Sequence, residues 1–354
     1  MKELKEASCG VECGGAVIPS LLFADDTSLF VSDGPGVKNS LDVLVRLCDE
    51  WGAKINVQKS GIMHIRQKKM ERADVRYVID NVEIPVVSQY KHLGCAIDEH
   101  LELNGMVEEK AMAGKKALGA WFSRCRVELG DIGVGTFRKL MTSLVESTML
   151  YGAEIWGCNR NMEGVEQTQL RALRMFFGVG TLHPKASLLA EMGDLPVRWR
   201  AKLRCMLFWV RVLSSDAYGG RLIRRVATEA VKFGRGSWLC KISMCCKEFG
   251  WQEINMKDMR GLSNTDVREM LESIAWRKTR EEWGREMEVK PMLSYRKSLI
   301  QTNGPDCARL RWRGNRRMMI ELTGSMAAFQ TIDGGQRRTS VQRMWTCEVK
   351  VVEC

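Results

Sequence analysis

Apolar and polar positions change rhythm along this 354-residue chain. In the first hundred residues, short β-rich runs alternate with breaks. Runs at 17–22 and 28–31 flank Ala24-Asp25-Asp26-Thr27, a pattern that predicts a β-hairpin. Asp33-Gly34-Pro35-Gly36 interrupts it. Val37, Leu41, Leu44, Val45 and Cys48 then recur at helical spacing, and Gly52 stands where a helix C-terminal cap is expected. Residues 54–57 and 61–65 read as extended, and 82–86 with 90–97 as a further strand pair. From about residue 104 the period becomes helical. One stripe is Phe137, Leu140, Met141, Leu144, Val145, Thr148 and Met149; another is Trp199, Leu203, Met206, Leu207, Val210 and Leu213. Gly178-Val179-Gly180 and Gly193-Asp194-Leu195-Pro196 separate successive helices, and 238–251 and 265–283 continue the pattern. After Pro305 the chain reads as irregular.

These patterns predict an α+β fold: a small antiparallel sheet backed by a helix, followed by a mainly α-helical region. The expected divisions are 1–100 for the sheet region, 101–215 and 216–304 for two helical regions, and 305–354 for a basic, irregular tail.

Charge sharpens the division. Residues 1–100 hold 12 Lys and Arg against 15 Asp and Glu, a net of −3. The remainder holds 42 against 28, a net of +14. A basic body of this kind suits a polyanion, and equally suits a surface that only keeps a protein dispersed. Thirteen cysteines in apolar contexts, with no secretory signal, predict free thiols in a reducing compartment. No apolar run is long enough to span a bilayer, so the expectation is an intracellular protein, nuclear or cytoplasmic, neither secreted nor membrane-bound. The four His and the Cys are not spaced as a zinc ligand set, and no zinc is expected.

The candidate chemistry sits in Leu22-Phe23-Ala24-Asp25-Asp26. Two adjacent carboxylates inside an apolar run ask for a cation, because an unpaired buried charge is costly. Magnesium takes hard oxygen ligands, and nucleotidyl transfer uses such cations at the attacking and leaving oxygens. On these residues alone, an Asp-rich hairpin turn is the competing reading.

The motif resembles the Phe-Ala-Asp-Asp box of reverse transcriptases encoded by non-LTR (LINE-type) retrotransposons. Gly52-Ala53-Lys54-Ile55-Asn56-Val57-Gln58-Lys59-Ser60 looks like that family's next box, and Tyr90-Lys91-His92-Leu93-Gly94 its Tyr-Lys-Tyr-Leu-Gly box. The resemblance covers residues 1 to about 100, with a weaker likeness to the thumb and downstream region beyond. It implies a palm remnant and a helical thumb, with magnesium as cofactor and an RNA template and DNA primer as partners. It gives Asp25 and Asp26 as catalytic metal ligands, Lys59 near the leaving pyrophosphate, and Tyr90, Lys91 and Gly94 along the primer backbone. The family's palm also uses an Asp on an earlier strand, and residues 1–20 contain none. The expectation is therefore an RNA-directed DNA polymerase by ancestry that, as this chain alone, does not polymerise. Two alternatives stay open: a non-catalytic nucleic-acid-binding protein, or a truncated open reading frame without a selected function. Arg309, Arg311, Arg313, Arg316 and Arg317, with Trp312 to stack a base, form a candidate nucleic-acid-binding run; a solvated loop is its alternative.

Overall fold

The computed structural model describes residues 10–13, 15–72, 74–79, 81–128, 132–232, 237–250, 263–289 and 348–353. The α+β class holds. The chain divides into two compact units, residues 1–105 with 331–354, and residues 106–330.

The first unit is built on strands β1 (Val11–Cys13), β2 (Ala16–Ile18), β3 (Ser20–Phe23) and β4 (Asp26–Val31). Helix α1 (Gly34–Glu50) follows, then β5 (Gly61–His64), β6 (Tyr77–Ile79), β7 (Val82–Ile84), β8 (Gln89–His92) and β9 (Cys95–Asp98). The break at Asp33 is the start of α1. Its carboxylate caps the helix by accepting the Gly36 amide at 2.7 Å. The other end closes at Gly52, with φ +63°, where the Gly52 amide reaches Asp49 O and the Ala53 amide reaches Cys48 O. Apolar positions on α1 (Val37, Leu41, Leu44, Cys48) bury against Leu29 and Val31 of β4, Ile62 of β5 and Tyr77, Ile79 and Ile84 of the β6–β7 hairpin.

Strands β1–β2, β6–β7 and β8–β9 are antiparallel hairpins, and the fourth sheet is mixed, in the order β3-β4-β10-β5. Strand β10 is Glu348–Glu353, parallel to both its neighbours. Within the segment read as an irregular tail, these six residues are therefore strand. Of residues 54–57, read as extended, the last instead opens a 3-10 turn, Val57–Lys59.

The second unit is helical among its described residues. Helix Val134–Leu140 runs on through a π-helical segment, Met141–Glu146, into Ser147–Met149. That wider i→i+5 turn moves the apolar stripe. Phe137, Met141, Val145 and Met149, four apart, are buried, while Leu144, expected inside, is 44% exposed. On Val197–Ser214 the expected stripe from Trp199 to Leu213 is buried throughout.

The described cysteines are free thiols, and Cys158, Cys205, Cys245 and Cys246 share one apolar core. A hydrogen bond with Cys205 pushes the Cys158 thiol up, and one with Cys158 does the same to Cys245. Burial pushes Cys246 up to about 12. Such thiols stay protonated and unreactive. No described helix is long and apolar enough to cross a membrane.

Candidate nucleic-acid groove

Strands β3 and β4 form the expected hairpin, closed by the two residues Ala24 and Asp25 between the register pair Phe23 and Asp26. Ala24 takes φ +53°, a left-handed backbone that an L side chain adopts at a cost of about 1–2 kcal/mol. Asp25 is exposed at the turn, and Asp26, the first residue of β4, is half-buried.

The apolar run around the pair is not core on both sides, contrary to the sequence expectation. Thr27, Ser28 and Leu29 of β4 are buried, but Leu21, Leu22 and Phe23 of β3 are 49%, 56% and 64% exposed. Among the described residues, β3 is the outer strand of its sheet and has a partner on one side only. The carboxylates thus stand at the boundary of a covered strand and an uncovered one.

The second box supplies a fixed turn. Asn56 accepts the Lys59 amide on Oδ1 at 3.2 Å, and the Ser60 hydroxyl donates to Asn56 O at 2.8 Å. These local bonds close the 3-10 turn that carries Lys59. The third box docks on it: the Tyr90 hydroxyl donates to Lys59 O at 2.9 Å. A Cβ added to Gly61 would lie 3.5 Å from the Tyr90 ring and 3.4 Å from Val87, ordinary contact distances, so the hairpin packs directly on this point of β5. Backbone bonds from Ile62 N to Pro85 O and from Val87 N to Ile62 O complete the junction.

The result is a groove of about 620 Å³ lined by Asp26, Gln58, Lys59, Ser60, Pro85, Val87, Gln89, Tyr90, Lys91, Leu93 and Gly94. Five of the residues singled out in the sequence (Asp26, Lys59, Tyr90, Lys91 and Gly94) line this one concavity. Asp25 is not among the lining residues. Gln58, Gln89 and Leu93 are lining residues that the sequence argument did not select. The first two carry no distinctive pattern, and Leu93 stood in the third box without a role of its own. Arg309, Arg311, Trp312, Arg313, Arg316 and Arg317 lie outside the described residues.

Two lysines and one carboxylate give the groove wall a positive balance, which favours a phosphodiester chain. Asp25 and Asp26 offer adjacent hard-oxygen donors, the kind magnesium accepts from one or two carboxylates when waters and substrate phosphates complete its shell. The donor set therefore fits a single hydrated magnesium. No group of three or more His, Cys, Asp or Glu among the described residues is gathered as a metal cage.

The turn between β8 and β9 is strained. Leu93 at φ +46° and Gly94 at φ +78° close the hairpin between His92 and Cys95. A two-residue turn with both φ positive favours Asn-Gly. We expect Leu93→Asn to raise the stability of this unit by about 1 kcal/mol, measured as a higher urea midpoint. A lower midpoint would mean that the side-chain contacts of Leu93 outweigh its backbone strain.

Behind the hairpin, Glu99 is 7% exposed and holds the segments leaving β5 and β9 together. Arg72 donates to it through Nε at 2.7 Å and Nη2 at 2.9 Å, and Arg66 approaches at 3.2 Å. The Arg66 amide in turn donates to the Glu99 carbonyl at 2.9 Å.

Comparison with known proteins gives one informative similarity. The chain is 25% identical over 170 residues to a Caenorhabditis elegans protein described as transposon-derived. That stretch is 47% of this chain, and the chain spans 58% of the length of that relative. No protein-family model matches the sequence. No solved structure matches it either.

Proposed function

We propose that this chain is a reverse-transcriptase-like protein of retrotransposon origin whose groove receives the end of a nucleic-acid strand, and that on its own it binds without polymerising. The observation that carries this reading is the groove itself. Three sequence boxes, separated by up to 68 positions between Asp26 and Gly94, contribute Asp26, Lys59, Tyr90, Lys91 and Gly94 to one concavity. The similarity to a transposon-derived protein agrees with a transposon origin.

In this reading Lys59 and Lys91 hold phosphates, Tyr90 braces the turn that presents Lys59, and Gly94 lets the strand backbone approach the hairpin. A bound magnesium at Asp25 and Asp26 would supply positive charge beside the 3′-oxygen and a phosphate. The exposed apolar strand β3 leaves an uncovered face beside the carboxylates, which favours the inactive form of the reading over an enzyme.

The test is a DNA primer annealed to an RNA template, followed by fluorescence anisotropy and by primer extension with magnesium and deoxynucleotides. We expect salt-dependent binding that Lys59→Glu with Lys91→Glu weakens at least about tenfold, since each phosphate contact contributes to the salt slope. We expect no extension. Binding that ignores the charge reversal would remove the groove from the reading. Extension that disappears in Asp26→Ala would overturn the claim of inactivity.

A further inference from the structure

The mixed sheet contains a slot. β4 and β5 run parallel, are joined through α1, and do not pair with each other; the position between them is one strand wide and is held by β10. The register sets Glu348 beside Asp26, Val349 beside Thr27, and Val351 between Leu29 and Ile62, both of which are fully buried. Without a strand there, the backbone groups of β4 and β5 that face the slot would lose their partners directly above the core under α1.

The occupant is unusual for an inner strand. Inner strands of parallel sheets read as near-continuous apolar runs, whereas Glu348-Val-Lys-Val-Val-Glu carries three charges in six residues. The backbone ladder that pairs it with β4 and β5 accepts any extended peptide of compatible pattern. Parallel pairing is also slightly weaker per residue than antiparallel pairing. Along the chain, β10 lies 284 residues from the end of β5, so its place in the sheet is set by long-range pairing.

We propose that the space between β4 and β5 is a strand-binding site and that Glu348–Glu353 is its exchangeable ligand, which another copy of the same segment can replace. Because Glu348 pairs in register with Asp26, arrival of the strand also orders the base of the hairpin that carries Asp25 and Asp26. The claim concerns strand exchange and stands whether or not the groove binds nucleic acid.

The experiment uses the full chain carrying Val351→Pro, which removes a ladder donor and is incompatible with an inner strand. Amide hydrogen exchange is read with and without a synthetic peptide of residues 346–354, and with a scrambled peptide as control. We expect amides of β4 and β5 to exchange at least about tenfold faster in the variant, with helix Val197–Ser214 unchanged. Saturating peptide is expected to restore the slow rates, and the scrambled peptide to leave them fast. Unchanged β4 and β5 rates in the variant would show that β10 does not hold the slot. Fast rates that the peptide fails to restore would show a fixed strand rather than an exchangeable one. Either result overturns the proposal.

Discussion

Replacing Gly157 with alanine is expected to destabilise the helical unit more than any other single methyl addition at its described glycines. Gly157 follows the short helix Ala153–Trp156 and faces Val197–Ser214. A Cβ there would collide with the carbonyl oxygen of Ala201 and stand 2.7 Å from its carbonyl carbon. Both atoms belong to backbone inside a helix, so no rotamer change relieves the clash. The two segments would have to separate, in a core where Ala153, Trp156 and Ala201 are each completely buried. Overpacking of this kind costs about 1–3 kcal/mol, and more where nothing can move. The connection into Val197–Ser214 is equally constrained, because buried Gln169 donates to Leu195 O at 2.9 Å and accepts from Val197 N at 2.8 Å. Gly119 is the contrasting site, since an added Cβ there meets nothing within 4 Å. Gly119→Ala should therefore stabilise its helix by about 1 kcal/mol. Urea unfolding followed by tryptophan fluorescence reads both changes, which should have opposite signs. A Gly157→Ala chain that unfolds at the wild-type urea concentration would disprove the close approach.

The elements that were legible in the sequence are those whose causes are local. The stripe from Trp199 to Leu213 needs only the helical period, and Gly52 needs only cap chemistry; each stands where its pattern puts it, whereas Asp33, read only as a break, caps α1. The π turn at Met141–Glu146 was not legible, because the period shifts without a distinctive residue, and Leu144 was assigned to the wrong face. Strand β10 was hidden for a different reason. Its partners are about 300 residues away, and three charges in six residues do not read as an inner strand.

The candidate groove was legible in its parts and not in its assembly. The resemblance of three motifs pointed to Asp26, Lys59 and the Tyr90 segment separately. Their convergence depends on the bond from the Tyr90 hydroxyl to the Lys59 carbonyl, a contact between a side chain and a distant backbone group that leaves no trace in local pattern. The exposure of Leu21, Leu22 and Phe23 was misjudged for a related reason. An apolar run says that a strand can be covered, and only the sheet order says whether anything covers it.

The Glu99 clasp gives this unit an acid limit. Arg72, through its hydrogen bonds, holds the Glu99 carboxyl below its ordinary range; burial acts in the opposite direction, and the charges of Arg72, Arg66 and His100 add to the lowering. A carboxyl with a depressed folded value contributes stability that is fully present above its unfolded value, about 4.5, and is lost as pH falls through the folded value. The native chain should thus keep this contribution at neutral pH and lose it only in acid. Glu99→Gln should remove about 2 kcal/mol at neutral pH, since it leaves Arg66 and Arg72 without a carboxylate; the figure is held down because the Arg72 side chain is 37% exposed. The same variant should lose less stability than the native chain when the pH is lowered below 4.5, so the two stability curves converge in acid. Methyl NMR signals of Ile62, Ile79 and Ile84 report on this unit alone and can be followed through urea titrations at each pH. Because Glu99 ties the exit of β5 to the exit of β9, its loss should also loosen the docking of the β8–β9 hairpin against the Lys59 turn. Broadened Ile62 signals in Glu99→Gln at neutral pH would support that link. A variant whose urea midpoint matches the native chain at neutral pH would show that the clasp is ornamental and that the Tyr90–Lys59 bond and the Ile62 backbone bonds hold the groove without it.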